Sequence, residues 1–279
     1  MNFELRPIDA TNVDQLLAII SANPVRHSYV ASRLERYGVR GLENRTLEII
    51  GAFDDETLHS AMHFGANLVP VETDQESQRI FADLLSRQGR KCSSIVGPAN
   101  EVHQLWAMIQ PAWGPARAVR PNQPVMSTQS LSPIEPDDRV HYSSPVDLDL
   151  LFPACVAMFT SEVGVSPLEN GGGQAYRNRI SELIADRHSF VRIDNDEVTF
   201  KTEVGSVGAG VAQLQGVWVN PKLRGQGIGP PALSAVLKYV LQDIAPTASL
   251  YVNDFNCPAI STYKKVGFKQ VDSFATVLF

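Results

Sequence analysis

A glycine-rich loop between a predicted strand and a predicted helix is the stretch of this chain best suited to chemistry. Three of its seven residues, 223–229, are glycine, which lets a backbone turn tightly and bring its N–H groups close to an anion. Residues 211–219 before it predict a strand, and residues 230–242 after it have apolar positions at helical spacing. The loop should therefore end at a helix N-terminus, where unpaired N–H groups and the helix dipole favour a phosphate. Arg224 adds a cation beside that point.

Three known patterns compete for this loop. The P-loop is excluded, because no Lys-Ser or Lys-Thr pair follows Gly229. A dinucleotide fingerprint would need glycine where Pro230 stands, and the acid that binds a ribose is missing as well. The third pattern, Arg/Gln-x-x-Gly-x-Gly/Ala, fits Arg224, Gly227 and Gly229. Taken alone, the loop is also compatible with an ordinary turn between a strand and a helix.

A second motif follows at the C-terminal end of the chain. Residues 249–252 predict a strand, and after it the pattern Asn-x-x-Ala-x-x-x-Tyr-x-x-x-Gly-Phe falls in register on Asn256, Ala259, Tyr263, Gly267 and Phe268. With both motifs in place, the chain from about residue 139 onward resembles the GNAT superfamily, the Gcn5-related N-acetyltransferases that use acetyl-CoA. Two linked motifs at this separation are far more specific than either one alone.

The resemblance implies where acetyl-CoA would bind. The backbone of the strand before the loop would pair with the pantetheine arm, the main-chain N–H groups of the loop would hold the pyrophosphate, and an asparagine of the second motif would touch the cofactor. The residues assigned in this way are Val217, Trp218, Val219, Arg224, Gly225, Gln226, Gly227, Ile228, Gly229 and Asn256. No metal is implied.

The resemblance assigns the catalytic groups less completely. Tyr263 matches the tyrosine that protonates the departing thiolate in many members, and a phenol with a pKa of about 10 can donate a proton at neutral pH. Many members place a glutamate base on the strand before the loop, but this strand offers Gln213 and Gln215. Glu203 on the preceding predicted strand and Glu162 are the candidate bases. A packed tyrosine, solvated carboxylates and deprotonation through water remain alternatives.

Composition limits the classes of protein to consider. The chain has 279 residues, a formal net charge of −6 and no basic cluster, so nucleic acid is not an expected partner. Cys92, Cys155 and Cys257 are scattered, which favours reduced thiols over disulfides or a metal site. The best apolar stretch, residues 148–159, contains a proline and an aspartate and is too short to span a bilayer. The absence of a signal-peptide pattern adds to the expectation of a cytoplasmic protein.

A proline-rich stretch, residues 111–136, predicts a boundary between two halves. We expect a first domain at residues 1–132, a linker at 133–138 and a second domain at 139–279. One strand is expected near residues 125–131, at the end of the proline-rich stretch.

The first half has the same predicted order of elements as the second: strand, two helices, three strands, helix, strand, helix. Its second helix, residues 25–37, is expected to stop at Gly38. At the position of the phosphate loop it carries residues 72–76, with three acids and no glycine, which would repel a pyrophosphate. The fold class expected is α/β (α+β), with two tandem GNAT-like domains, each a mixed, mostly antiparallel sheet flanked by helices. This arrangement resembles actinobacterial acetyltransferases whose N-terminal domain lacks the cofactor loop, although an unrelated α/β domain stays open.

The function that the resemblance implies is acetyl-CoA-dependent N-acetylation of a primary amine, by direct attack in a ternary complex. The acceptor would be a protein lysine or a small-molecule amine, and the sequence distinguishes neither it nor the oligomeric state. A non-catalytic acyl-CoA-binding regulator is the alternative, because Gln213 and Gln215 stand where a base is common.

Overall fold

A computed structural model describes residues 3–279, apart from the side chain of Asn170. The elements of the first half are β1 (Glu4–Pro7), α1 (Val13–Ala22), α2 (Pro24–Glu43), β2 (Glu48–Asp54), β3 (Thr57–Phe64), β4 (Asn67–Val71), α3 (Gln75–Gln88), β5 (Ser94–Pro98), α4 (Ala99–Trp113) and β6 (Ala118–Thr128). Those of the second half are β7 (His141–Tyr142), α5 (Leu148–Val163), α6 (Gly173–Ala185), β8 (Ser189–Asp194), β9 (Glu197–Gly208), β10 (Val211–Val219), α7 (Gly229–Tyr239), β11 (Thr247–Tyr251), α8 (Cys257–Val266) and β12 (Lys269–Leu278).

The predicted order of elements is present in both halves, and the fold class expected from the sequence is confirmed. The prediction for α2 was wrong at its end. Gly38 adopts φ 60° and ψ −171°, which kinks the helix, but helical structure resumes beyond it as far as Glu43. Glycine tolerates that backbone conformation without a steric penalty, so it marks a bend here rather than a stop.

All twelve strands belong to one sheet, in the order β1-β2-β3-β4-β5-β12-β6-β11-β10-β9-β8-β7. The order shows that the two halves exchange strands. β6 comes from the first half but lies beside β11, and β12 comes from the second half but lies beside β5. The two exchanged strands pair with each other at the centre of the sheet.

β6 is longer, and begins earlier, than the strand expected at residues 125–131, so that prediction was wrong in its bounds. It carries two prolines in a central position of the sheet, where proline normally removes a ladder hydrogen bond. Pro121 lies in a bulge, since Arg120 faces Thr276 and Gln123 faces Phe274. Pro124 precedes residues 125–128, the only part of β6 in register with β11. Pro121 therefore lies where pairing with β12 is interrupted, whereas Pro124 faces Ser273 of β12 and lies just outside the pairing with β11.

Helices cover both faces of the sheet in the second half. Phe190 packs in the core beneath α7 and α8, whereas the next residue, Val191, packs with α5 and α6. Successive residues of a strand point to opposite faces, so β8 to β10 lie between two helical layers. No helix among residues 3–279 has the length and the continuous apolar character needed to cross a bilayer.

Candidate active site

The sheet of the second half opens between β10 and β11. These strands pair in parallel through three residues of β10 only, Val211 to Gln213. On its other edge β10 continues to pair with β9 as far as Val219. The backbone of residues 214–219 therefore faces a gap, and its N–H and C=O groups on that edge, apart from the Val219 carbonyl that Arg224 contacts, are available to an extended, amide-containing ligand. The predicted pantetheine-binding residues 217–219 lie on this edge.

A β-bulge deforms β10 at the same place. Gln215 faces Glu203 and Trp218 faces Lys201, so β10 has one residue more than β9 between these pairs. Gly216 lies in the bulge with φ +59°, and a Cβ there would lie 2.7 Å from the Met158 side chain. Only glycine fits both the backbone conformation and the space. Bulges of this kind redirect backbone groups and are common beside active sites.

The predicted phosphate loop connects β10 to α7. Gly225 and Gly227 have φ +79° and +80°, and a Cβ at either would point into open space. Among the described residues, no hydrogen bond uses the amide N–H groups of Gly227, Ile228 or Gly229, and no side chain caps α7. Since the next two residues are prolines without an N–H, these amides are the free donors at the helix N-terminus.

The side chains of the loop mostly stabilise the loop itself. Arg224 Nε donates to the carbonyl of Val219 at 3.2 Å, and Gln226 Nε2 donates to the carbonyl of Lys222 at 3.3 Å. Asn220 caps the short 3₁₀ turn at Pro221–Leu223 by accepting from the Lys222 amide. The loop groups that remain free to bind an anion are therefore its main-chain amides.

Helix α8 places the second motif. Asn256 caps the helix, and its side chain accepts from the amide of Ala259 at 3.3 Å. Gly267 ends the helix with φ +112°, and Phe268 then enters the core. Tyr263 is only 7% exposed, and its ring centroid lies 6.2 Å from that of Phe268. Burial raises the pKa of Tyr263, and the charge of Glu162 raises it further, so the phenol stays protonated at neutral pH.

Glu203 is committed to two partners. Its Oε2 lies 3.0 Å from Nζ of Lys201, and its Oε1 accepts from Nε2 of Gln215 at 2.9 Å. Lys201 is 1% exposed. Burial alone would lower the pKa of Lys201, but Glu203, Cys155 and Glu162 together outweigh it and the pKa is raised. Lys201 therefore stays charged, and both carboxylate oxygens of Glu203 are occupied.

Glu162 lies in the last turn of α5 and differs from Glu203. Its carbonyl accepts from the Arg120 guanidinium, while no hydrogen bond among the described residues holds its carboxylate. The residue is exposed at the surface, although the protein around it still desolvates the carboxylate. This burial raises the pKa of Glu162, although Lys201 and Arg120 oppose the shift and Glu203 adds to it. Glu162, Glu203 and Tyr263 are thus close enough to form one electrostatic cluster.

Two charged members of this cluster were not predicted from the sequence. Lys201 is two residues before Glu203 on one strand, so period-2 alternation places both side chains on one face and could have revealed the pair. Arg120 belongs to β6 of the first half, and only the exchange of strands brings it beside Glu162. No pattern within residues 111–136 indicates that contact.

The corresponding region of the first half is filled by the protein's own carboxylates. β4 and β5 also pair in parallel through two residues only before they diverge. Glu72 lies 2.9 Å from His27 Nε2 and 3.3 Å from Arg26, and Asp74 caps α3 by accepting from the amide of Ser77. The amide and hydroxyl of Thr73 donate to a third acid, from α4. The loop amides of this half thus already have acceptors.

That third acid, Glu101, is buried in the first half. Burial raises its pKa to about 7, although the hydrogen bonds from Thr73 oppose the shift.

The described residues contain no group of three or more His, Cys, Asp or Glu side chains arranged to hold a metal ion.

Comparison with known proteins agrees with this geometry. Residues 175–268 match the acetyltransferase (GNAT) family, and residues 47–151 match a domain of unknown function, DUF4081. Residues 175–268 form a GNAT acetyltransferase domain. The splayed strands, the bulge and the glycine loop described above are all in or beside the matched residues of this GNAT domain.

The chain is also similar to individual proteins. It is 33% identical over 101 residues to the peptidyl-lysine N-acetyltransferase YjaB of Salmonella typhimurium, a match that spans 34% of this chain and 62% of that relative. A GNAT-family acetyltransferase from Colwellia psychrerythraea superposes with a TM-score of 0.58 at 15% identity, over 99% of this chain and all of that one. A tandem GNAT protein from the clavulanic acid biosynthesis pathway gives 0.51 at 13%, over 99% and 98%. The full-length superpositions show a tandem GNAT fold.

Proposed function

We propose that this chain is an acetyl-CoA-dependent N-acetyltransferase that acetylates a primary amine. The observation that carries the proposal is the gap between β10 and β11, which ends at the free amides of residues 227–229. An extended edge and an anion-binding helix N-terminus, joined by one short loop, fit a ligand with an amide-containing arm and a diphosphate.

The residues present fit coenzyme A by their chemistry. The backbone of Val217 to Val219 would hydrogen-bond the amides of the pantetheine arm, and the amides of the loop would bind the diphosphate. The open space beside Gly225 and Gly227 allows the close approach of phosphate oxygens. Acetyl-CoA supplies an activated acetyl thioester.

The division into residues 1–132, 133–138 and 139–279 stays a proposal, with the first half completing the cleft through β6.

The proposed reaction forms one C–N bond and breaks one C–S bond. The neutral amine attacks the carbonyl carbon, and its surplus proton passes to Glu162, directly or through one water. Glu162 is favoured over Glu203 because its carboxylate has no internal partner and its raised pKa suits a general base. Tyr263 donates its phenolic proton to the departing thiolate, and backbone N–H groups at the Gly216 bulge face the developing oxyanion.

A protein lysine is the first acceptor to test. YjaB is named for acetylating peptidyl lysine, and the carboxylates of Glu162 and Glu203 would attract a cationic side chain. The assay is release of free thiol from acetyl-CoA in the presence of lysine peptides, α-amines, polyamines and aminated sugars. Acceleration by at least one amine, with one acetyl group gained per thiol released, supports the proposal.

A regulator that binds acyl-CoA without turnover is a second candidate. It is favoured by one observation: Lys201 and Gln215 occupy both carboxylate oxygens of Glu203. This candidate predicts tight binding of acetyl-CoA by calorimetry and no amine that accelerates thiol release. A cytoplasmic location stays a prediction.

A further inference from the structure

A cavity of about 430 Å³ lies between the two halves, on the face of the sheet covered by α6. Its walls come from α2 of the first half and from α6 and the end of β9 of the second half. It lies at the opposite end of β9 from the gap: Ser206 pairs with Gln213, the last residue of β10 that is joined to β11. The cavity adjoins the candidate active site at Gly205, where a Cβ would clash with Oε1 of Gln215, but none of the residues assigned to cofactor binding or catalysis lines it.

The walls carry more positive than negative charge. Arg33, Arg36 and Arg179 line the cavity, with Glu35 and Asp186 as the acids. Glu35 is already engaged, since its carboxylate accepts from the amide of Ala209 at 2.7 Å.

Two of the three arginines have no carboxylate partner. Within residues 3–279, neither Arg33 nor Arg36 takes part in an ion pair. Arg33 lies over the ring of Tyr29, with Cζ 4.8 Å from the centroid, whereas Arg179 pairs only with Glu182 on its own helix, at 3.4 Å.

Buried donors without partners line the same space. Ser206 is 7% exposed, and its Oγ has no hydrogen-bond partner among the described atoms. Nε of Arg33 is likewise buried without a partner. A buried polar group that loses water without gaining a partner costs about 1–3 kcal/mol, so native proteins rarely leave such groups unpaired. Both groups can donate, and the partner that they need is an acceptor.

We propose that this cavity binds a small oxyanion of the phosphate type, held by Arg33, Arg36 and the hydroxyl of Ser206. Burial lowers the pKa of His188, which also lines the cavity, so it is neutral at pH 7 and able to donate one more hydrogen bond. Because the walls belong to both halves, a bound anion would stabilise their junction. The site is independent of the proposed acetyl transfer.

Thermal unfolding of the full chain with inorganic phosphate tests this proposal, with chloride used to hold the ionic strength constant. We expect phosphate to raise the Tm of the wild type, and the double variant Arg33→Gln/Arg36→Gln to lower phosphate affinity at least about 10-fold. Arg40→Gln is the matched control, because it removes one positive charge from α2 outside the cavity. It should keep the wild-type response.

Two further variants make the result decisive. Ser206→Ala removes one buried hydroxyl without changing the charge, so it should weaken the phosphate response even if the arginine variant folds poorly. Gly227→Val should keep the response, which separates binding in the cavity from binding at the loop before α7. No phosphate response in the wild type would overturn the proposal. So would a response that survives both cavity variants, or one that is lost equally in Arg40→Gln.

Discussion

Lys201 and Glu203 form a buried ion pair beside the β10 bulge, with Nζ 3.0 Å from Oε2. The two side chains share one face of β9, and Gly216 is glycine partly because a Cβ there would approach Nζ to 3.0 Å. Gln215 occupies the other oxygen of Glu203. The pair therefore fixes charge next to the reacting groups while leaving Glu162 as the carboxylate free to accept a proton.

Breaking the ion pair between Lys201 and Glu203 should lower the stability of the folded protein, and unfolding measures this effect separately from catalysis. Glu203→Gln leaves Lys201 charged and buried without compensation, so the free energy of unfolding should fall by about 3–5 kcal/mol. The double variant Lys201→Met/Glu203→Gln removes both charges and should recover most of that loss. Urea unfolding of the three proteins measures both changes. Equal stability of the single variant and the wild type would show that the pair is not buried as described.

Glu162→Gln should lower kcat about 100-fold or more, because the amide cannot accept the proton from the attacking amine. Acetyl-CoA affinity should be unchanged. In the wild type kcat/KM rises with pH as the Glu162 carboxyl ionises, and this limb should disappear in the variant. Glu48→Gln, which changes an exposed carboxylate on β2, is the control and should behave as the wild type. If the Glu162 variant keeps full kcat, another group or water accepts the proton of the attacking amine.

Tyr263→Phe removes only the hydroxyl proposed to protonate the thiolate. The ring can keep its packing on Phe268, and the described residues provide no hydrogen bond to the hydroxyl, so Tm should change little. The value of kcat should fall about 100-fold, with the loss largest for thioesters whose thiol has a high pKa. If acyl donors with good and poor leaving groups lose rate equally, Tyr263 packs the core and does not act as the acid.

Glu101 predicts a pH dependence of stability. Its pKa of about 7 in the folded protein lies above the ordinary 4.5, so the unfolded chain ionises first as pH rises. Protonated Glu101 therefore stabilises the fold by about 3 kcal/mol below pH 4.5, and this contribution is lost as the pH rises to about 7. Glu101→Gln should flatten that part of the curve. Identical curves for the two proteins, from chemical denaturation between pH 4.5 and 8, would contradict the assignment.

The local features of the site could be predicted from the sequence because short-range rules determine them. The position of the glycine loop depends on φ at Gly225 and Gly227 and on the start of α7, all within a few residues. The Gly267-Phe268 ending of α8 is another local feature, since glycine reaches the left-handed conformation that ends a helix. Patterns of this kind can be recognised in the sequence without knowledge of the tertiary fold.

The exchange of strands could not be predicted in the same way. Neither β6 nor β12 has a sequence that indicates its partners, because its neighbours in the sheet are set by contacts across more than 100 residues of chain. Arg120 accordingly belonged to a proline-rich stretch of the expected first domain with no indicated partner, although it contacts Glu162 in the structure. The identity of the base was open for a related reason: Gln215 reaches the second oxygen of Glu203 only through the pairing of β9 with β10.

The central claim is that main-chain amides near Gly227 bind the diphosphate of coenzyme A. Gly227→Val should be compared with Gly114→Val, which has the same positive φ and open space at the C-terminus of α4, outside the site. The measurement is kcat/KM with acetyl-CoA and with S-acetylpantetheine, which lacks the diphosphate. We predict that Gly227→Val lowers kcat/KM at least about 10-fold with acetyl-CoA and leaves kcat/KM with S-acetylpantetheine unchanged. Gly114→Val should change kcat/KM with neither donor. Unchanged kinetics with acetyl-CoA in a folded Gly227→Val protein, or equal losses with both donors, would contradict the account.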